Sequence, residues 1–345
     1  MTGITEKLRK YYIRTYRELY DTVDSRLRSA QIPPPPRKKK DKNLYLKNTL
    51  LAKLGIAYNT IDDELRKLVE ATETIEKNHP FYQEIFIMRI NESPGKIAKT
   101  LRITRRNMRR IYLEYRARIK TAPTPETAVS AFKSGLGRLL SFYKRIGKLA
   151  LGIKEVIKEI TKLPDITGEL VVIVTGMPQV GKSTLIKTLT RAEPEIANYP
   201  FTTKTIIVGH IDVDKLGKIV LVDTPGLLDR PLEEKNIIEK KAVIALKHLA
   251  DKALFMVDAS PQSYYSIDEQ LSVYYSVADL VGNENTLVLI NKTDITPKET
   301  LQETTRLIEE KTGKQPLMIS ALTGDGLEEL VEILRKWFME KIQNL

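Results

Sequence analysis

One segment near the middle of the chain constrains the fold more than any other. Residues 170–175, LVVIVT, form an apolar, β-branched run typical of a buried parallel strand. The residues directly after it, GMPQVGKS, fit the pattern G-x-x-x-x-G-K-[ST]. Because a strand precedes the pattern, a chance glycine-rich turn is a poor alternative. We therefore predict a strand, a phosphate-binding loop and a helix that begins near Lys182.

The predicted loop assigns a role to each of its residues. Its glycines let backbone N–H groups turn inward around phosphate oxygens, and the positive end of the helix faces the anion. Lys182 would reach the β- and γ-phosphates, and the Ser183 hydroxyl would ligate Mg²⁺. The expected nucleotide contacts are Gly176, Pro178, Gln179, Val180, Gly181, Lys182, Ser183 and Thr184.

Two segments downstream carry groups suited to the metal ion and the γ-phosphate. NYPFTT, residues 198–203, lies where a mobile loop would supply a threonine hydroxyl to Mg²⁺. The strand at 219–222 ends in DTPG, residues 223–226. The Asp223 carboxylate would hold Mg²⁺ through water, and the Gly226 N–H would contact the γ-phosphate and sense its presence.

Two later segments predict which base is bound. Asn291, Lys292 and Asp294 belong to NKTD, which follows the strand at 287–290. An aspartate carboxylate accepts hydrogen bonds from guanine N1–H and N2–H, a pair that adenine lacks. Lys292 would lay its stem over the base. The backbone of Ser320, Ala321 and Leu322, after the strand at 316–319, would meet guanine O6. We predict a guanine nucleotide, since ATP would leave NKTD without a purpose.

Strand and helix patterns alternate through the second half of the chain. This alternation predicts an α/β fold with a mostly parallel sheet, helices on both faces and ligands at the carboxyl ends of the strands. The expected helices are 235–249, 267–281, 298–311 and 327–342.

The position after DTPG is Leu227, where many GTP-hydrolysing proteins carry a glutamine that orients water. Leucine can neither orient water nor act as a base. We therefore expect slow intrinsic hydrolysis, or a water held by another group.

The first half of the chain has a different charge. Residues 1–164 hold 36 Lys+Arg and 17 Asp+Glu, a net of +19, whereas residues 165–345 hold 20 and 27, a net of −7. If these residues only formed helix faces exposed to water, their positive and negative charges would be more nearly equal in number. We predict two domains, 1–164 and 165–345, of which the first meets a nucleic acid.

The first half lacks strand-like alternation, and its long helical stretches with short connections predict an antiparallel bundle. Helices are expected over 5–29, 44–76, 81–90, after Ser93-Pro94, after Thr124-Pro125 and over 149–163. The four prolines at 33–36 and the basic residues behind them form either a stiff linker or a phosphate-contacting loop. The candidate RNA contacts are Lys38, Lys39, Lys40, Arg102, Arg105, Arg106, Arg109 and Arg110.

Composition excludes several other classes. The chain has no Cys and 3 His, so disulfides, thiolate chemistry and His/Cys metal sites are ruled out. No apolar run reaches the roughly 18 residues that a membrane span needs, and the first residues lack the apolar core of a secretory signal.

Two long stretches carry a family resemblance: YPFTTKTIIVGHID at 199–212 and VDTPGLLDRPLEEKNIIE at 222–239. They resemble the Obg-like branch of translation-factor-class GTPases, and more narrowly the nucleolar GTP-binding protein family that acts in large ribosomal subunit assembly. The resemblance implies a P-loop GTPase domain behind a helical domain that sits on ribosomal RNA. It also implies that Thr203 ligates Mg²⁺ and that a hydrophobic residue at 227 is typical.

The resemblance leaves two questions open. Relatives often carry Asn where this chain has Gln179, and in potassium-activated members that Asn helps to hold K⁺, so K⁺ stays open here. Eukaryotic relatives are nucleolar and extend further at the C-terminus, so we expect a cytoplasmic, ribosome-associated protein of archaeal type that acts as a monomer.

Three functions compete. The leading one is a GTPase, converting GTP to GDP and phosphate, that serves as an assembly factor for the large ribosomal subunit. The second is an RNA-binding scaffold with an inert GTP site, which Leu227 motivates. The third, action at an anionic membrane, is disfavoured because no basic segment has a strong apolar face.

Overall fold

The structure is a computed structural model that describes residues 4–31, 41–166, 168–190, 193–229 and 235–343. The chain divides into two compact units, Met1–Thr161 and Lys162–Leu345. The predicted basic loop with Lys38, Lys39 and Lys40 lies outside the described residues. No helix in the described ranges is long and apolar enough to cross a membrane.

The described part of the first unit is helical, as the sequence predicts. Proline follows the N-cap in three of its helices, where the missing N–H costs no helical hydrogen bond. In chain order the helices are α1 (Ile4–Arg9), α2 (Tyr16–Arg28), α3 (Asp41–Glu76), α4 (Pro80–Ile90), α5 (Pro94–Thr121), α6 (Pro125–Arg145) and α7 (Gly147–Ile160).

The single helix predicted over residues 5–29 is wrong, because the chain breaks between α1 and α2. Thr15 caps α2: its side chain accepts from the Glu18 N–H at 3.3 Å, and its own N–H donates to the Glu18 carboxylate at 2.6 Å. That backbone hydrogen bond is the main reason that the pKa of Glu18 is lowered to about 2. The apolar spacing continues across this break, so periodicity alone could not reveal it.

A buried carboxylate on α3 fixes the segment between the first two helices. The Glu64 side chain is 1% exposed; it accepts from the Arg14 backbone N–H at 2.8 Å and from the Arg14 guanidinium at 2.7 Å. The hydroxyl of buried Tyr143 on α6 donates to the Arg14 carbonyl oxygen at 2.5 Å. Helix α3 also packs along α5 and α6, so it forms the centre of this unit.

The second unit contains a sheet with helices, and its parallel strands agree with the predicted alternation. The strands are β1 (Leu170–Thr175), β2 (Glu195–Asn198), β3 (Thr205–Val213), β4 (Gly217–Asp223), β5 (Lys252–Asp258), β6 (Thr286–Asn291) and β7 (Leu317–Met318). The helices are α8 (Lys182–Leu189), α9 (Ile237–Leu249), α10 (Ile267–Val281), α11 (Lys298–Thr312) and α12 (Leu327–Gln343).

The strand order is β2-β3-β4-β1-β5-β6-β7. Strands β4, β1, β5, β6 and β7 run parallel, whereas β2 and β3 form an antiparallel extension. After β1 the chain passes to β2 at one end of the strand order, and after β4 it passes to β5 on the opposite side of β1. Strand β1 is therefore a switch point, and the carboxyl ends of the parallel strands form one edge at which ligands bind.

Candidate functional site

The loop between β1 and α8 has the backbone that its glycines allow. Gly176 and Gly181 have φ of 140° and 103°, a region that other residues rarely adopt. A Cβ at Gly176 would lie 2.4 Å from the Met256 carbonyl oxygen, and one at Gly181 would lie 2.3 Å from Asn291 Nδ2. Both positions therefore require glycine, and α8 begins directly after Gly181 with its N–H groups at the loop.

Lys182 closes the loop on itself. Its Nζ donates to the carbonyl oxygens of Gly176 at 2.9 Å and Met177 at 2.8 Å. Burial lowers its pKa, while the nearby carboxylates of Asp223 and Asp229 act in the opposite direction. The ammonium is thus held over the loop, where incoming phosphate oxygens can replace the two carbonyls.

A cavity of about 340 Å³ lies against this loop. The predicted contacts Pro178, Gln179, Gly181, Lys182, Ser183, Thr184 and Asp223 line it, together with Pro225 and Asp229. Val180 is buried, and it faces the base-recognition segments through its carbonyl oxygen. The sequence did not single out Asp229.

Asp223, at the end of β4, is the buried acid of this cavity. Its Oδ2 accepts from the Ser183 hydroxyl at 3.3 Å, while its Oδ1 is buried without a hydrogen-bond partner among the described residues. Burial raises the pKa of Asp223 to about 6, against the opposing effect of Lys182. An orphaned carboxylate oxygen beside a hydroxyl suits a hard divalent cation such as Mg²⁺, so these residues fit the metal that the fold implies.

The chain after Asp223 turns sharply. The Leu227 N–H donates to the Thr224 carbonyl oxygen at 3.0 Å, and Gly226 has φ of 80°, as the third residue of a type II turn requires. Pro225 places this turn at the cavity wall. Leu227 is fully buried, so it faces the core rather than a position where water could be oriented.

The segment predicted to supply a threonine hydroxyl is anchored by Tyr199. This side chain is fully buried, and its hydroxyl donates to the Ala242 carbonyl oxygen at 3.0 Å. The Thr202 hydroxyl donates to the Tyr199 carbonyl oxygen at 3.0 Å. Thr203 is exposed and does not line the cavity, so its role as a metal ligand stays a prediction.

Asn291 connects three loops. Its Nδ2 donates to the Val180 carbonyl oxygen at 2.8 Å, and its Oδ1 accepts from the Ala321 N–H at 2.9 Å. The Ala321 carbonyl oxygen in turn accepts from the Thr188 hydroxyl on α8 at 2.8 Å. The structure therefore brings the predicted phosphate loop and both predicted base segments together through one buried amide.

Lys292 is positioned through a buried network that the sequence did not single out. It has φ of 63°, and its Nζ donates to Asp258 Oδ2 at 2.5 Å. Gln270 on α10 is fully buried, and its amide accepts from the Asp258 N–H at 2.8 Å and donates to the Asp258 carbonyl oxygen at 2.9 Å. The only sequence signal is a glutamine within the apolar face of α10.

The remaining residues that the sequence predicts to recognise the base differ in exposure. Asp294 is exposed, and its carboxylate bonds to none of the described residues, so it is free to accept from a base. Ser320 and Ala321 are buried, and Leu322 beside them is 79% exposed. These positions agree with a base edge bound by Asp294 and by the backbone of the 320–322 segment.

Comparisons with known proteins support both units. Residues 7–167 match the NOG1 N-terminal helical domain, and residues 171–292 match the 50S ribosome-binding GTPase family. Nucleolar GTP-binding protein 1 of Caenorhabditis elegans is 35% identical over 280 residues, which cover 80% of this chain and 41% of that protein. An uncharacterized protein of Methanocaldococcus jannaschii is 37% identical over 242 residues, covering 70% of this chain and 67% of the relative.

A crystal structure of a nucleolar GTP-binding protein 1 from Plasmodium falciparum shares 32% identity and a TM-score of 0.43; it covers 53% of this chain and 92% of that chain. The chain spans about two fifths of the C. elegans and Arabidopsis thaliana proteins. The two family matches follow the order of the helical unit and the nucleotide-binding unit. The chain therefore belongs to the nucleolar GTP-binding protein family, with an N-terminal helical domain followed by a GTPase domain.

Proposed function

We propose that the chain binds and hydrolyses GTP as an assembly factor for the large ribosomal subunit. The observation that carries the nucleotide part is the pairing of Ser183 with Asp223, whose Oδ1 is buried without a partner among the described residues, beside Lys182. The net of +19 in residues 1–164 supports the RNA part, because phosphate attraction provides affinity for nucleic acid.

The phosphate end of the site works by exchange of partners. Lys182 leaves the carbonyl oxygens of Gly176 and Met177 for the β- and γ-phosphates, which offer it stronger, charge-assisted hydrogen bonds. Ser183, Thr203 and Asp223 would hold Mg²⁺, which supplies charge neutralisation at the phosphates. The Gly226 N–H then reports whether the γ-phosphate is present.

Hydrolysis by the isolated chain is slow in this proposal. Leu227 is buried, so the group that many GTPases use to orient water is missing from its usual place. In this proposal the assembling particle orients the water, either directly or by ordering a residue of the 198–203 segment. GTP turnover is thereby tied to the particle and sets when the factor leaves it.

The helical domain docks on ribosomal RNA, and the nucleotide state of the GTPase domain alters that docking. The match of residues 171–292 to the 50S ribosome-binding GTPase family and the net charge of +19 in residues 1–164 support this proposal. For this chain we propose a cytoplasmic, ribosome-associated location of archaeal type, on the basis of its similarity to the M. jannaschii protein.

Single-turnover hydrolysis with and without large-subunit particles tests the proposal. We expect slow phosphate release that the particles accelerate, and loss of nucleotide binding in Lys182→Ala. If GTP binds but no phosphate is released under either condition, the second candidate is correct: an RNA-binding scaffold with an inert GTP site, as buried Leu227 would allow.

A further inference from the structure

A long basic depression runs between α3 and α5 in the helical domain. It consists of two cavities of about 660 Å³ and 440 Å³ that share Leu113 and Arg116 in their walls. From Arg102 to Lys120 its α5 wall extends for about 27 Å, at about 1.5 Å per residue. We call this depression the basic trough. Its charged lining residues are Lys47, Asp62, Arg102, Arg105, Arg106, Arg109, Arg116 and Lys120.

Two of these arginines hold the walls together. Arg105 and Asp62 make a two-point ion pair at 2.6 and 2.8 Å, and Arg102 Nε donates to Glu73 Oε1 at 2.9 Å. Asp62 is the one acidic residue among the described residues that line either cavity, and Arg105 neutralises it. Arg102 and Arg105 therefore stabilise the contact between α3 and α5.

Three other arginines of the basic trough form no ion pair with the described residues. Arg106, Arg109 and Arg116 are exposed, and within the part of the chain that the structure describes no carboxylate lies at ion-pair distance from them. They occupy the same wall over about 15 Å, a length along which one nucleic-acid strand presents about four phosphates. Their spacing suits a continuous polyanion better than a single small anion.

The aromatic residues of the basic trough are already paired with each other. The Tyr58 and Tyr112 rings stack with centroids 4.2 Å apart and planes 13° apart. One face of each ring is therefore covered by the other ring and cannot stack on a base. The lining offers positive charge along its length and little base-reading chemistry, so it fits the phosphate backbone of a nucleic acid.

We propose that the basic trough binds the sugar-phosphate backbone of RNA without sequence preference, through Arg106, Arg109 and Arg116. This inference rests on the proposed RNA role of the helical domain and assigns that role to one surface. In this proposal Arg102 and Arg105, which the sequence also predicts as RNA contacts, hold the walls through their ion pairs, and Arg116 is an additional RNA contact.

Binding of a labelled RNA duplex of about 20 base pairs to the full chain, measured by fluorescence anisotropy from about 50 to 200 mM KCl, tests the proposal. The triple variant Arg106→Gln, Arg109→Gln, Arg116→Gln should bind at least about tenfold more weakly. Its slope of log affinity against log salt should fall by about 2 to 3, since each phosphate contact adds about 0.9. Two duplexes of unrelated sequence should bind the wild type equally.

Two matched triple variants serve as controls. Replacement of the same three arginines by lysine keeps the charge, so most of the slope should remain. Replacement of Lys99, Lys148 and Lys158 by glutamine removes the same charge from exposed positions outside the basic trough, and it should change the slope by less than about 1.

The outcomes separate the surface from the function. If the wild type binds RNA and the arginine-to-glutamine variant shows the same slope, the basic trough is not the binding site, but the RNA role of the helical domain stands. If the wild type shows no salt-dependent RNA binding, both the basic trough as the site and the RNA role of the helical domain are overturned. If a polyglutamate peptide displaces the duplex at equal charge concentration, the surface serves an acidic protein instead.

Discussion

Asn291 Nδ2 donates to the Val180 carbonyl oxygen at 2.8 Å, across 111 residues of sequence. The amide oxygen of the same side chain accepts from the Ala321 N–H at 2.9 Å, so one buried residue joins the phosphate loop to the segment that is predicted to face the base. The strand β6 places Asn291 at the carboxyl edge of the sheet, between the two loops. One side chain therefore anchors both loops, and we expect the two ends of the site to respond together when it is removed.

Asn291→Ala should loosen both ends at once. It leaves the Val180 carbonyl and the Ala321 N–H without partners, at a cost of about 2 to 4 kcal/mol. We expect unfolding of the GTPase domain at lower denaturant and at least about tenfold weaker GDP binding. Trp337, the chain's one tryptophan, lies on α12 and reports this domain by fluorescence. Leu322→Ala, at an exposed neighbouring position, should change stability little; an equal loss there would contradict the coupling.

The sequence predicts the phosphate loop well because its function depends on local backbone. Gly176 and Gly181 adopt the positive φ that the motif requires, and the strand before them fixes their direction. The sequence cannot predict the partners of Glu64, which lies 50 residues from Arg14, nor those of Gln270. Those contacts arise only when helices and strands pack, and neither residue belongs to a motif.

Asp223→Asn tests the proposed metal role. The substitution keeps the shape of the side chain and removes its charge, so Mg²⁺ should no longer strengthen GTP binding. Nucleotide binding without Mg²⁺ should persist or improve, because a negative charge beside the phosphates is gone. Isothermal titration of GTP with and without Mg²⁺ measures both. An Mg²⁺ effect as large as that of the wild type would remove Asp223 from the metal site.

Gln270→Leu should act on the nucleotide through Lys292. Without the amide, the Asp258 N–H and carbonyl oxygen lose buried partners, which costs about 1 to 3 kcal/mol and loosens the backbone that carries the carboxylate paired with Lys292. We expect weaker GTP binding with a normal phosphate response, seen as an equal loss for GTP and GDP. Ser272→Ala on the exposed face of α10 is the control, and it should bind both nucleotides as the wild type does.

Asp294→Asn tests base recognition. The carboxylate is exposed and bonds to none of the described residues, so the substitution should not affect folding. It should weaken GTP binding by about 2 to 4 kcal/mol, because the charge is lost and one of the two acceptor oxygens becomes an NH2 donor facing a donor of the base, while weak ATP binding stays unchanged. Competition between GTP and ATP measures the ratio. Asp279→Asn, another exposed carboxylate of the same domain, should leave that ratio untouched; a retained GTP preference in Asp294→Asn would remove Asp294 from the base site.

Glu64→Ala should destabilise the helical domain and spare the GTPase domain. The buried carboxylate holds both the backbone and the guanidinium of Arg14, and removal of one partner of a buried ion pair costs about 3 kcal/mol. In urea, the far-ultraviolet circular dichroism signal should lose helix at lower concentration, while the Trp337 fluorescence transition stays in place.

Glu155→Ala supplies the comparison, since its ion pair with Arg89 is 38% and 44% exposed and should contribute at most about 1 kcal/mol. If the two variants shift the dichroism transition equally, the junction between α1 and α2 is not held by Glu64. If the Trp337 transition moves together with the dichroism transition in Glu64→Ala, the two domains unfold as one cooperative unit. The larger shift expected for Glu64→Ala would show that the break between α1 and α2, across which the apolar spacing continues, is held by a residue 50 positions away from Arg14.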